Sequence, residues 1–475
     1  MCSIVGLEGK FKGEDIIKML KSSKNRGPDS SGLFLSSSSH LLKKNIDLER
    51  FHDDNEYNLG LAHNSLSIFK DKNNSQPIAN DKLVLVFNGE IYNYDSIKNF
   101  LKIETPITDS YLILNLIDYF YKNDLLKAIQ DSINLIDGDY SFAVFDGDNL
   151  AITRDKIGVK PLFYSKNENL NGFSSSKKSL IDLGFNEIKT LKPAHILYNW
   201  EDIPPKEYLW NIRQDVNLND LEKLLKEAIL KRVNYLDEVG VIFSGGIDSS
   251  LIAMLLKEIP SLKITLYAVG SEKSKDIIFA KKAAKILDLP LKTKIVTSEV
   301  VKDNLTEVLI AIGENNLMKI GVGMTMYLAC KMIKEDGLKV AISGQGADEL
   351  FGGYNRYLDS YEKGILEEEL RYDIANMYHV NLERDDAVSM ANGVELRLPY
   401  LDEKLIKFAL NIPVDEKITN GLRKNILRNL AIDLGLSPEI AMRPKKAAQY
   451  GTGIDKILRK KVLKNFDVDS FLDNI

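Results

Sequence analysis

The run Val-Ile-Phe-Ser-Gly-Gly-Ile-Asp-Ser-Ser-Leu at residues 241–251 restricts what this chain can become more than any other stretch. An apolar segment stops at Ser244-Gly245-Gly246 and a helical pattern follows, so Val241, Ile242 and Phe243 read as a buried parallel strand and the serines as a helix start. Gly245 and Gly246 reach backbone angles closed to other residues, which lets successive N–H groups wrap an anion. The hydroxyls of Ser244, Ser249 and Ser250 add donors, and the helix that follows points the positive end of its dipole at the same place. Asp248 is the odd member. A carboxylate beside a phosphate needs a cation between them, which makes Asp248 a candidate magnesium ligand. The plainer alternative is a serine-capped helix after a tight turn, but a cap needs one hydroxyl, and this loop supplies three together with two glycines.

Around this loop strands and helices alternate. KITLYAVG (263–270), a helix through KDIIFAKKAAKILDL, then TKIVT and KVAISG (339–344) predict a doubly wound parallel sheet, in which ligands lie beyond the carboxyl ends of the strands. Ser343-Gly344 ends one such strand and Val269-Gly270 another. SGQGADELFGGY (343–354) repeats the combination of glycines with an aspartate, and two aspartates from different strand ends, Asp248 and Asp348, could share one magnesium. A long flexible loop is the bland reading of that segment.

The amino-terminal part has a different texture. Cys2 follows the initiator methionine, and removal of Met1 would leave a thiol and a free α-amine on one residue. The amine titrates near ~8 and the thiol near ~8.5, so such a residue carries its own base. By itself Cys2 reads more readily as a small apolar residue opening the strand CSIVGLEG, and only the motifs downstream reverse that preference. Residues 135–165 alternate short apolar runs with Asp-Gly turns, as hairpins do. In LVFNGEIYNY (85–94) the Asn-Gly pair between apolar runs is a hairpin-turn signal, and a turn would also present a backbone N–H. A polar, proline-bearing stretch at 201–216 divides residues 2–200 from residues 217–475.

Composition excludes several classes. The chain has 475 residues, 44% hydrophobic and 28% charged, with 63 basic against 68 acidic side chains and a net charge of −5. That length suits two or three domains, and no basic block points to nucleic acid. No run of about 18 apolar residues occurs, and the N-terminus turns polar too soon for a secretory signal, so the expected setting is cytoplasmic with no membrane partner. Two cysteines, Cys2 and Cys330, cannot build a disulfide framework or a zinc site.

The SGGxDS loop, which lacks the Gly-Lys-Ser/Thr ending of a Walker loop, resembles that of the PP-loop ATP pyrophosphatases. Arg26-Gly27-Pro28-Asp29, LAHNSLSI (61–68), LVFNGEIYNY and Thr108-Asp109-Ser110 together resemble the class II glutamine amidotransferases. With SGQGADELFGGY, ANGVELRLPYLD (391–402) and MRPKKAAQYGTG (442–453), nearly the whole chain resembles the glutamine-dependent asparagine synthetases, with motifs in the same order. The resemblance implies an α/β two-domain fold. The N-terminal domain would be an Ntn-hydrolase αββα sandwich, and the C-terminal one a doubly wound parallel α/β domain of the adenine nucleotide α-hydrolase-like, PP-loop kind. It implies that Cys2 cleaves glutamine, that Asn88 and Gly89 form the oxyanion hole, and that Glu90 and Asp109 hold the substrate amino group. It further implies that Ser244, Gly245, Gly246, Asp248, Ser249 and Ser250 grip the pyrophosphate of ATP, and that Ile242, Val269, Ser343 and Gly344 lie at the nucleotide, the hydrophobic ones and Gly344 toward adenosine. Asp248 and Asp348 would hold Mg2+, and Lys445 would reach the departing phosphates. Arg154-Asp155 and GVKPLFY would serve mainly folding and the domain interface. Ammonia would pass to an acyl-adenylate through a closed tunnel, and a homodimer is compatible with the family.

Three departures sharpen this expectation. Ser65 stands where the family pattern LxHxRLxI has arginine, so a bidentate clamp on the glutamine α-carboxylate is missing and weaker or rearranged glutamine binding is expected. Gln345 replaces the glutamate of SGEG and cannot act as a base. Gly321 stands where bacterial asparagine synthetases carry an arginine associated with aspartate. A buried dicarboxylate needs a cationic partner, and Lys319, Arg397 and Lys446 are the candidates to stand in. Aspartate is the leading acceptor, followed by another carboxylate as in the β-lactam synthetases. A degenerate, non-catalytic paralogue is the third reading, against which Cys2, Asn88, Asp248, Asp348 and Lys445 all stand. A transfer-RNA thiolation role would want further cysteines and a basic face.

Overall fold

The computed structural model describes residues 2–68, 75–272, 274–444 and 448–472. The chain divides into two compact units, Met1–Lys206 and Glu207–Ile475.

In the first unit, alternating strands pair into two antiparallel sheets. Among the described residues one has seven strands, in the order Lys189–Thr190, Phe163–Lys166, Leu170–Ser174, Ser3–Lys12, Glu56–Ser65, Ser30–Ser36, His40–Lys44. The other has six: Glu201–Ile203, Ile196–Tyr198, Leu150–Arg154, Gly138–Phe145, Val84–Ile91, Ile78–Ala79. One apolar cluster joins Ile4, Phe34 and Leu61 of the first sheet to Val86, Ala143 and Ile152 of the second, so these faces pack on each other. A second cluster joins Val5, Leu7 and Leu33 to Ile16, Ile17 and Leu20 of the helix Gly13–Ser22. A third joins Leu85, Phe87 and Phe142 to Leu112, Leu116 and Ile129 of the helices Asp109–Phe120 and Leu125–Leu135. Successive side chains of a strand point to opposite faces, so each sheet is buried on both sides and the result is a four-layer αββα sandwich. Arg154 and Asp155 work inside it. Asp155 accepts from the N–H groups of Ile157, Gly158, Val159 and Lys160, and Arg154 donates to the carbonyls of Leu191 and Gly158.

The expected turn at Asn88-Gly89 is absent. Both residues lie inside the strand Val84–Ile91, opposite Ser141 and Tyr140. A hairpin turn needs positive φ at its central residues, and the long ladder with Gly138–Phe145 holds them extended instead. Gly89 is required for another reason, because a Cβ there would overlap the Asp139 carbonyl.

Among the described residues the second unit is built on a five-stranded parallel sheet in the order Leu291–Ile295, Lys263–Gly270, Glu238–Ile242, Val340–Ile342, Glu395–Arg397. Helices Ile247–Lys257, Lys275–Leu287 and Leu317–Glu335 form its crossovers. The strand Glu238–Ile242 has a later strand on each side, so the connections leave it in opposite directions. Ligands bind outside the carboxyl ends of strands at such a reversal. The segment 343–354 is not a plain loop, because it contains the short helix Ala347–Phe351, bracketed by Gly346 and Gly352 with φ of 97° and 70°. Among the described residues no helix is long and apolar enough to cross a membrane.

One buried charge in this unit is a liability. Lys417 is fully buried and its Nζ has no hydrogen-bond partner among the described residues. Burial first, then the positive charge of Arg371, pushes its ammonium down to about 7. An unfolded lysine titrates near ~10.4, so the unfolded chain binds more protons between these values and stability rises with pH across that window. Lys417→Met is therefore expected to stabilise the protein by about 1–4 kcal/mol at pH 6, the range seen when buried charges give way to apolar groups. The gain should shrink toward pH 10. Thermal denaturation at both pH values checks this, and an equal gain at both would mean that packing, not charge, sets the effect.

Candidate functional site

In the first unit Cys2 is buried at the start of the strand Ser3–Lys12, and its backbone nitrogen donates to Asn88 Oδ1 at 2.8 Å. That bond orients the Asn88 amide. Asn88 Nδ2 is buried with no partner among the described residues, leaving a donor to be satisfied by something that arrives, which is how an oxyanion-hole group is used. Asp109, first residue of the helix Asp109–Phe120, accepts from Ile91 N at 3.0 Å. It is thereby pinned to the strand that carries Asn88, Gly89 and Glu90. Gln76, which the sequence reading missed, pairs its side-chain amide with the N–H and carbonyl of Phe87 and holds the same strand from another side.

The missing clamp is visible in its setting. Ser65 is buried and its Oγ has no partner among the described residues. Gly27 packs so tightly on the Asn64–Ser65 peptide that a Cβ would overlap it, and Asp29 N donates to Ser65 O at 3.0 Å. The Arg26–Asp29 turn therefore folds directly against the position where the arginine is lacking, with Arg26 buried. Nearby in sequence, His63 is fully buried; burial, then the positive chain terminus, push its imidazole down to about 3, so it stays neutral.

In the second unit the first glycine loop begins where the strand Glu238–Ile242 ends. Gly245 has a φ of +67° and lies against the Phe279–Ala280 peptide, 2.7 Å from a would-be Cβ. Ser244 is exposed, with its Oγ 3.4 Å from that of Ser249 and 3.2 Å from Gly246 N. Ser250 is fully buried, and its Oγ has no partner among the described residues. Ile242 is half-buried and Val269 buried at the neighbouring strand ends. Register explains why the second loop is adjacent: Val241 pairs with Ile342, so Ser343 and Gly344 emerge beside the first loop. An added Cβ on Gly344 would lie 3.0 Å from Asp248 Cβ.

Asp248 and Asp348 come together on a residue that sequence reasoning missed. Lys424 Nζ lies 2.6 Å from Asp248 Oδ1 and 2.6 Å from Asp348 Oδ1, with its side chain fully buried. Its backbone is left-handed, φ 58°, at the N-cap of the helix Asn425–Asp433. A non-glycine residue in that region costs of order 1–3 kcal/mol and persists where the surroundings over-determine it. Gly353 has no room for a side chain, because a Cβ would overlap both the Asp348 carboxylate and the end of Lys424. Two carboxylates converging on one ammonium make a cation site. A pair of carboxylates also suits magnesium, which keeps waters and takes the rest of its oxygens from phosphates. No group of three or more His, Cys, Asp or Glu side chains able to hold a metal occurs among the described residues. Next to Asp348, Glu349 is buried and accepts from Tyr354 Oη at 2.6 Å and Asn381 Nδ2 at 2.8 Å. Burial, then Asp348, push its carboxyl up to about 7.

The residues matched to domain families follow these two sites. A model described as glutamine amidotransferase domain covers residues 1–207, and one described as asparagine synthase covers residues 220–365 and 362–470. The chain belongs to the asparagine synthase family. It is an enzyme of the ligase class whose first unit is a glutamine amidotransferase domain. A Methanocaldococcus jannaschii protein with the provisional name glutamine-hydrolyzing asparagine synthetase 1 is 39% identical, over 100% of this chain and 98% of its own length. The glutamine-hydrolyzing asparagine synthetase of Mus musculus is 30% identical, over 88% of this chain and 82% of its own.

Against the family pattern, the cations expected to stand in at the acceptor are committed elsewhere. Lys319 Nζ binds both Glu314 oxygens, at 3.0 and 2.8 Å, and the His379 carbonyl. Arg397 is fully buried, held by Glu395 at 3.0 Å and the Arg232 carbonyl at 2.7 Å. Lys445 and Lys446 lie outside the described residues.

Proposed function

We propose that this enzyme makes an amide from a carboxylate, ATP and the side-chain nitrogen of glutamine, with L-aspartate as acceptor and L-asparagine, AMP and pyrophosphate as products. The observation that carries the reading is the meeting of Asp248, Asp348 and Lys424 beside the glycine loop, at the point where the sheet reverses direction. A triphosphate placed there meets loop N–H groups, serine hydroxyls and a lysine, all of which favour negative charge. Mg2+ held by Asp248 and Asp348 would neutralise charge on the phosphates when bound. The acceptor oxygen attacks the α-phosphorus, the bond to the β-phosphate breaks, and pyrophosphate leaves with its negative charge stabilised by Lys424 and, by family resemblance, Lys445. Ammonia then adds to the acyl carbon and the C–O bond to AMP breaks. In the first unit Cys2 would attack the glutamine side-chain carbonyl, its own α-amine accepting the thiol proton and handing it to the departing nitrogen as the C–N bond breaks and ammonia leaves; water would then hydrolyse the thioester to glutamate and restore the thiol. Asn88 Nδ2 and Gly89 N would take the oxyanion, and Glu90 and Asp109 the substrate amine.

A second reading is favoured by the engagement of Lys319 with Glu314 and of Arg397 with Glu395, which commits both described candidates to partners other than a second carboxylate on the acceptor. In it the acceptor is a carboxylic acid other than aspartate. ATP–pyrophosphate exchange against a panel of amino acids and other carboxylates separates the readings. Aspartate-dependent exchange supports the first, exchange only with another acid supports the second, and no exchange with any acid refutes both.

A further inference from the structure

Arg443 belongs to a segment that comes to the glycine loop from the far end of the chain; one of its contacts reaches the loop itself and two reach the helix beneath it. Its Nη1 donates to the Ser244 carbonyl at 2.6 Å. Its Nη2 forms an ion pair with Asp276, in the first turn of the helix Lys275–Leu287. Its guanidinium lies over the Phe279 ring, 4.3 Å from the centroid. Both charged side chains are more than nine-tenths buried, at 8% and 5% exposure. The same helix is the floor on which Gly245 rests, with no space for a Cβ above the Phe279–Ala280 peptide. Asp276 is also packed by Gly451, where a Cβ would overlap its carboxylate, and Ser271 N donates to Thr452 O at 2.8 Å.

A peptide carbonyl and the N–H that follows it are fixed by one rotation, so holding the Ser244 carbonyl on Arg443 sets where the next loop amide points. We propose that Arg443 and Asp276 are positioning residues: a buried clasp that locks the Ser244–Gly246 turn against the helix floor with the Gly245 N–H, on the far side of the peptide plane from Arg443, turned toward the nucleotide. The planar guanidinium suits this, since one group makes a carbonyl bond, an ion pair and a ring contact at once, which a lysine ammonium cannot. The proposal rests on the nucleotide reading of the loop.

The test uses the full-length protein, with Mg·ATP affinity measured by calorimetry and adenylation by ATP–pyrophosphate exchange. Arg443→Ala is expected to weaken Mg·ATP binding and lower exchange kcat, together about 10²-fold or more in kcat/KM, the scale of a small misplacement at a reacting site. Far-ultraviolet circular dichroism and a cooperative melting transition matched to the wild type report that the variant folds. Millimolar methylguanidinium should restore at least tenfold of the loss. Asp276→Asn should lose less, and the double variant should lose no more than Arg443→Ala alone, because the two act as one unit. Wild-type-like affinity and exchange in Arg443→Ala, absence of rescue, or multiplying losses in the double variant would each overturn the clasp. If the wild type binds Mg·ATP but shows no exchange with any acid, the amidation reading fails, while calorimetry with rescue still decides the clasp. A wild type that does not bind Mg·ATP overturns both.

Discussion

Cys2→Ala is expected to abolish amide synthesis from glutamine, by ~10³-fold or more, while synthesis from added ammonium continues. The two chemistries sit in different compact units. Only the first needs a nucleophile, and removing it leaves the Asp248–Lys424–Asp348 cluster untouched. Asn88 supplies the physical reason for so large a loss. Its Oδ1 accepts from Cys2 N while its buried Nδ2 has no partner among the described residues, so in the proposed reaction this donor would meet the charge that forms once the thiol attacks. A variant that retains any residue ahead of Cys2 should behave in the same way, because the amine that accepts the thiol proton would be a peptide nitrogen. Assays of both nitrogen sources on one preparation check the prediction. Parallel loss of both activities would show that Cys2 is holding the fold instead.

Lys424→Met should eliminate ATP–pyrophosphate exchange and make stability depend on magnesium. With Lys424 in place, the buried Asp248 and the half-buried Asp348 share one ammonium at 2.6 Å each. Without it they face each other uncompensated, and breaking a buried ionic contact by removing one partner costs about 3–5 kcal/mol. A divalent cation bound by the same carboxylates would offset that cost by mass action. The melting temperature of the variant is therefore expected to fall in EDTA and to recover with millimolar Mg2+, whereas the wild type should respond far less. A magnesium-independent loss would argue against Asp248 and Asp348 as metal ligands.

Much of this was legible in the primary structure because the signals are local. The glycines of the phosphate loop, the hydroxyls around Asp248 and the alternation of strand and helix all act within a few residues, and the parallel sheet follows from them. Asn88-Gly89 shows where local reasoning stops. The dipeptide favours a turn, yet pairing with residues 138–145 along eight positions keeps it extended, and no dipeptide preference of about a kcal/mol outweighs such a ladder. Lys424 shows the same limit more sharply. In GLRKNIL it looks like an ordinary basic residue ahead of a helix, and its one unusual property, a left-handed backbone, exists only in the folded chain.

By itself, then, the sequence determined which residue types are available for chemistry: a cysteine at the second position, a turn rich in glycine and serine, and aspartates just beyond two strand ends. Their meeting was decided by tertiary structure. Asp248 and Lys424 are separated by 176 residues, and only the parallel register that sets Val241 beside Ile342 brings the second glycine loop, and with it Asp348, into the same space. Pairing across such distances depends on which strands become neighbours, a choice made by burying both faces of the sheet at once and not by any residue's own preference.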